Sequence, residues 1–526
     1  MSRVAVLIAH LLVPAALLAY AVPIHKLMPG RALAGETMPG RALAERLPAV
    51  SPQELAEFRA WLDGQFRAHP DPAVRRRYVA RFPAALSAAD LKRLLTLNVD
   101  RPIHGIDQAG GLPCTALEAL QEGSTQPDTD YRNRERMAHD AHGQPLKLAD
   151  GRDVPADPLV LNMGNARGLS SQAHAHYGLA DVALSPDPAV LRDEPWRFGL
   201  NAGWPGGPVR SFAREFCQLH YDLAVLAILW GKPAGRSLAH LFLGQGMHYL
   251  EDVGNQVHTV QVGSYDLLKR AKLLTWERAL FTLGGYAGEL KPWTRVGIDL
   301  ITTHHVLSEG LNAKRIFEAL RNEKVAPVIR ETLDGLSTDD PELARDLTTA
   351  LGAPTRAGSR PRPAAVITGC VIARSCLEGA DLYRHMTGAL HPRMHRYGVL
   401  VDDESFDPDT ALGDPADPAV AAHLAAVYDL QRKAYRRVGT ALRRLYAGFA
   451  ADGQAGDPQA RAQALANAFV AERLDALDGE EERLARYLAD PPAAGALTVH
   501  DPVWLLPPLV LMAAGGWLVR RLTRRR

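Results

Sequence analysis

The sequence predicts an all-α protein, and three observations carry that expectation. Apolar residues recur at three-to-four spacing from Pro52 to Asn98, from Ser211 to Glu323 and from Val420 to Leu488, with Ala, Leu, Arg and Glu between them. Period-two alternation, the mark of half-buried strands, is nearly absent. Composition agrees: 47% hydrophobic and 23% charged residues over 526 positions can bury a sizeable core and do not fit a disordered chain. The 60 basic and 59 acidic residues leave a net charge of +1, which excludes a polybasic nucleic-acid binder and names no partner.

The elements follow in chain order. After Met1-Ser2-Arg3, the uncharged stretch VAVLIAHLLVPAALLAYA closes on Ala19-Tyr20-Ala21, so residues 1–21 read as a secretory signal peptide, with an uncleaved signal anchor as the alternative. The heptad MPGRALA at Met28–Ala34 returns at Met38–Ala44, a local duplication with no third copy. A helical domain is expected over 22–350. The stretch GAPTRAGSRPRP, Gly352 to Pro363, is a loop or linker by its Gly, Pro and Arg content, and a helical extension over 351–500 follows it. That extension is interrupted by the acidic, Pro-rich Asp402–Pro418, whose DDESFDPDT lacks the Gly and terminal Glu of a calcium loop. Finally, VWLLPPLVLMAAGGWLV over Val503–Val519 is uncharged, and Arg520, Arg521, Arg524, Arg525 and Arg526 follow it. An apolar run backed by arginines predicts a transmembrane helix at 503–519. The expected location is therefore the cell inner membrane, with the C-terminus cytoplasmic and the body on the periplasmic side. Pro507-Pro508 leaves a hydrophobic tail docked on the domain as the alternative.

The four cysteines, Cys114, Cys217, Cys370 and Cys376, are scattered and form no C-x-x-C pair, which excludes a disulfide-stapled scaffold and a thiolate zinc site. A metal would be held by N and O ligands, and the chain has 19 His. The informative segment is HLFLGQGMHYLEDVGNQVHT, His240 to Thr259. His248 and Asp252 stand four apart, about 40° around a helix from each other, so both project from one face and can share a cation. Gly244, one turn earlier on that side, lets a neighbouring helix come close. His258 lies roughly 15 Å further along an unbroken helix, out of reach of the same ion. Either a break at Gly254-Asn255 folds it back, or it serves a second ion. In THHVLSEG, His305 and Glu309 repeat the four-residue spacing, while His304 points about 100° away. Two such pairs plus His258 exceed one tetrahedral site and suggest a cluster of ions.

HYLEDVGNQVH has the H-Y-x-x-D-x-x-x-x-x-H spacing of the zinc-dependent phospholipase C and S1/P1 nuclease superfamily, and HVLSE resembles its H-x-x-x-E. The resemblance implies an all-α domain with three zinc ions that cleaves phosphodiesters outside the cytoplasm. It also implies upstream ligands. In GSTQPDTD, Asp128 is similar to the family's Asp after a Gly/Ala-Ser-like turn, with Asp130 the alternative; in QAHAHYGLAD, His176 is similar to the family's His before an aromatic, with His174 the alternative. Cleavage after Ala21 would place His25 fourth in the mature chain, where the family has its first ligands; His104 is the other candidate, and no Trp stands there. By this resemblance Asp128, His176, His248 and Asp252 hold one zinc, His258, His305 and Glu309 a second, and His25 with bridging Asp252 a third. Where the family has Pro two before its third ligand, this chain has Gln256.

The reaction the resemblance implies is hydrolysis of a phospholipid phosphodiester: clustered cations acidify water and offset phosphoryl charge, with Asp128 orienting or deprotonating that water. The membrane anchor favours lipid, and DLAVLAILWG with Trp276, Phe281, Tyr286 and Trp293 offers apolar surface for it, or ordinary core. The alternatives are an S1/P1-like nuclease acting on single strands and a noncatalytic exported protein that binds zinc.

Overall fold

The structure is a computed structural model that describes residues 22–33, 43–88, 114–129, 212–259, 307–312, 333–354, 360–391, 412–454 and 456–489, with isolated positions between them. The described residues are mostly helical, as the periodicity predicts. Their helices are α1 (Val22–Leu33), α2 (Pro52–Arg67), α3 (Pro72–Arg81), α4 (Ala116–Thr129), α5 (Phe212–Leu229), α6 (Pro233–Gly254), α7 (Pro341–Gly352), α8 (Pro363–Cys376), α9 (Gly379–Ala389), α10 (Pro418–Gln454) and α11 (Pro458–Ala489). The strands are two-residue pieces, β1 (Arg46–Leu47) and β2 (Cys114–Thr115), paired antiparallel with Leu47 opposite Cys114.

Local chemistry sets the helix starts. Ser51 and Glu54 form a reciprocal capping box at the head of α2, and Pro52 occupies the first turn, where its missing N–H costs nothing. Asp340 caps α7 through the Glu342 and Leu343 amides.

The centre of the molecule is α6. Nearly every side chain from Ala234 to Gly254 is buried, so this helix has no solvent face, and α4, α5, α8, α10 and α1 pack around it. A helix enclosed on all sides needs small residues where neighbours cross. At Gly244 an added Cβ would lie 2.3 Å from the Leu120 carbonyl oxygen on α4; at Gly254 it would strike the Val438 side chain on α10. The close approach expected at Gly244 is therefore present, and α4 is the helix that makes it.

The main core runs from Ile24 and Met28 of α1 through Leu243 and Met247 of α6 to Tyr435 of α10 and Phe469 of α11. It thus draws on both sides of position 350. A second cluster, including Val257, Leu307, Leu311, Met386 and Leu430, lies beneath the turn that ends α6.

One expectation is corrected. No helix among the described residues is long and apolar enough to cross a membrane, so the inner-membrane placement with a cytoplasmic C-terminus does not stand. Among the helices of sufficient length, α5 has the most apolar composition, and it carries Arg214, Glu215 and Asp222 within its 18 residues. Residues 1–21 and 503–519 lie outside the described residues.

Candidate metal centre

The site is assembled from three helices. His248 and Asp252 lie one turn apart on α6, with His248 Nε2 3.2 Å from Asp252 Oδ2. Onto this pair α1 brings His25, whose Nε2 is 3.4 Å from Asp252 Oδ1 and whose ring centroid is 4.2 Å from that of His248. One donor atom from each of His25, His248 and Asp252 falls within 4.8 Å of the others, and all three residues are 0% exposed. Two imidazole nitrogens and a carboxylate oxygen are a donor set that zinc takes, so the residues fit a divalent ion.

The opposite edges of both rings are tied down. His248 Nδ1 donates to the Ser124 carbonyl of α4 at 2.8 Å; a carbonyl only accepts, so the proton sits on Nδ1 and Nε2 is turned towards Asp252. His25 Nδ1 lies 2.6 Å from Glu251 Oε2, and Ser124 Oγ donates to the same oxygen at 2.7 Å. Glu251 is wholly buried beside Asp252. Burial pushes its carboxyl above the usual range, and the contacts with His25 and Ser124 pull it back.

Close helix crossing makes this reach possible. Gly123 of α4 packs on Gly244 of α6, so near that a Cβ at 123 would lie 2.2 Å from the Leu241 carbonyl oxygen. Ser124 is the next residue, and only at this separation can its main chain touch His248. Gly123-Ser124 was expected to form a turn before Asp128; both residues are instead helical, and Asp128 falls in the last residues of α4, its side chain outside the described set.

The helix breaks before His258. Asn255, extended at φ −82° and ψ 129°, ends α6 and accepts from the Val257 amide, starting a 3-10 turn over Gln256–His258. The His258 imidazole meets Glu309 of the helical segment 307–312, Nε2 to Oε1 2.9 Å, with both side chains 2% exposed. Burial opposes charge on His258, but Asp252 and the bond to Glu309 outweigh it and hold the imidazole above its ordinary range, with His25 acting the other way. The Gly178 amide donates to the His258 carbonyl at 3.0 Å.

The C-terminal helices brace this turn. Gln256 Nε2 donates to Glu378 at 2.6 Å, Arg437 grips the same carboxylate through two bonds of 2.7 and 2.6 Å, and Ser375 Oγ donates to the Gly254 carbonyl. Gln256 thus ties the turn to α10 through Glu378 and Arg437.

Of the expected ligands, the structure brings together His25, His248 and Asp252, and it pairs His258 with Glu309. His104, Asp130, His174, His176, His304 and His305 lie outside the described residues. Sequence reading missed Glu251 and Ser124. Their partners come from other helices, so no spacing within their own segments marks them.

No family model matches the chain, and neither a curated protein nor a solved structure does.

Proposed function

We propose that this chain is a divalent-metal-dependent phosphodiester hydrolase similar to the zinc-dependent phospholipases C, with a phospholipid as substrate. The observation that carries the reading is the arrival of His25, 226 residues from Glu251 in sequence, at the His248–Asp252 pair within an enclosed helical frame. The HYLEDVGNQVH spacing supports the same reading, and so does the His258–Glu309 pair, whose imidazole is under the influence of Asp252.

His25, His248 and Asp252 would hold one ion, with His258 and Glu309 as donors towards another. Zinc bound there supplies an acidified water and a counter-charge for the phosphoryl oxygens. The protein's part is to fix the donors: Ser124 and Glu251 orient the rings, and the braced turn holds His258 against Glu309. Burial of all five donors keeps the local dielectric low, which strengthens each charge interaction at the site.

That same burial favours a second reading, a closed zinc site without catalysis, because structural sites are closed and catalytic ones keep an open position. Purified full-length protein decides between them. The hydrolase reading expects bound zinc and an EDTA-sensitive cleavage of phosphatidylcholine that zinc restores. Bound zinc without cleavage of phosphatidylcholine or single-stranded DNA supports the closed site, cleavage of DNA alone marks a nuclease, and folded protein that takes up no zinc rejects all three.

A further inference from the structure

Two carboxylates, Glu251 and Asp252, stand side by side at the site, both 0% exposed. Consecutive helical residues diverge by about 100°, so the two carboxylates approach their neighbours from different directions. Asp252 faces His248 and the Nε2 edge of His25, whereas Glu251 faces the Nδ1 edge of His25 at 2.6 Å. The His25 ring is therefore held between two acids that differ in role, and only Asp252 belongs to the ligand spacing of the sequence pattern.

We infer that Glu251 is a positioning residue, which with Ser124 fixes both imidazoles so that their Nε2 atoms converge with Asp252 on one divalent cation. The inference rests on the metal-binding reading above. Glu251 Oε2 accepts the Ser124 hydroxyl proton and, as an acceptor, selects the His25 tautomer with its proton on Nδ1, which turns the Nε2 lone pair towards Asp252. Ser124 does the same for His248 through its carbonyl. One serine thus joins the two orienting contacts: its main chain holds one ring, and its side chain holds the carboxylate that holds the other. A carboxylate behind a ligating histidine both orients the ring and makes it a better donor, and losing such a partner weakens metal binding about 10–100-fold. Burying two neighbouring acids is costly, and a cation between the rings offsets that cost.

The test uses the full chain, stripped with EDTA and titrated with Zn2+ against a chromophoric chelator, and in parallel with Co2+, whose visible absorption reports ligand geometry. Glu251→Ala should bind zinc about 10–100-fold more weakly than the parent and shift the Co2+ bands. Glu251→Gln, which keeps an acceptor of the same size, should fall between the two. In a His25→Ala background, Glu251→Gln should add no further loss. Parental zinc affinity and an unchanged Co2+ spectrum in folded Glu251→Ala would overturn the inference while leaving the metal site standing. If Glu251→Ala does not fold, Glu251→Gln decides: affinity equal to the parent overturns the inference, as does a loss that persists without His25. A parent that binds no zinc sinks the metal reading itself, a distinct result.

Discussion

Gly123 and Gly244 meet where α4 crosses α6, and a Cβ built on either would stand 3.0 Å from the Cα of the other. The contact is reciprocal, and both virtual Cβ atoms also collide with a backbone oxygen of the facing helix. Because backbone cannot rotate away as a side chain can, any substituent here forces the helices apart.

The first prediction follows. Gly→Ala within a helix ordinarily gains up to about 1 kcal/mol in propensity. Here the 2.3 Å approach to the Leu120 carbonyl oxygen opposes it, and overpacking costs typically 1–3 kcal/mol. Gly244→Ala is expected to lower the unfolding free energy in urea by about 1–2 kcal/mol, and to weaken zinc binding by drawing Ser124 away from His248. A variant as stable as the parent would show that the crossing has slack.

Zinc should stabilise the folded chain by mass action. At about 100 times its dissociation constant a ligand confined to the native state adds about 2.7 kcal/mol, visible as a raised Tm. His248→Ala and Asp252→Asn are expected to abolish the rise. A zinc-dependent shift that survives both would place the ion elsewhere.

Acid should destabilise the fold through histidines that are not among the proposed ligands. Burial pushes the His220 imidazole down to about 4, while its bond to the Phe216 carbonyl works the other way; His240, bonded to the Arg236 carbonyl, is lowered for the same reason. In the unfolded chain such a ring titrates near 6.5. Between about 6.5 and 4 the unfolded state therefore binds a proton that the folded state excludes, and stability falls as pH falls through that window. The His220 contribution is absent above it and approaches ~3 kcal/mol at its lower end. His220→Gln in EDTA-treated protein should lose less stability between pH 7.5 and pH 5 than the parent does. Equal losses would remove His220 from the account.

Arg437→Met should both destabilise the protein and disturb the metal centre. Arg437 is 4% exposed at its side chain and Glu378 19%, so removing the guanidinium strands a mostly buried carboxylate, for which about 3 kcal/mol is expected. Since Gln256 leans on the same carboxylate, the second half of the zinc titration should weaken as well. An unchanged titration would disconnect the C-terminal helices from the turn.

What sequence could show was set by distance along the chain. His248 and Asp252 were legible because four residues on a helix share a face. The break at Gly254-Asn255 was legible because those residues favour leaving a helix, and α6 does end there. His25 was reached only through resemblance, since no periodicity links it to a partner 226 residues away. Glu251 was overlooked because its neighbour Asp252 already explained the motif. Gly123-Ser124 was misread as a turn: glycine at that position serves a helix crossing, and only the facing helix reveals that need. The membrane assignment rested on apolar length near the C-terminus, whereas no helix among the described residues is long and apolar enough to cross a membrane.

The placement of α1 has a temporal consequence. His25 is made 226 residues before Glu251, and the Arg437 that steadies the neighbouring turn comes later still. Closing so long a loop adds only slowly to the entropic cost, but it delays assembly. A nascent chain therefore carries α1 without its partners until α6 has been made, and the contact between His25 and Glu251 can close only after that.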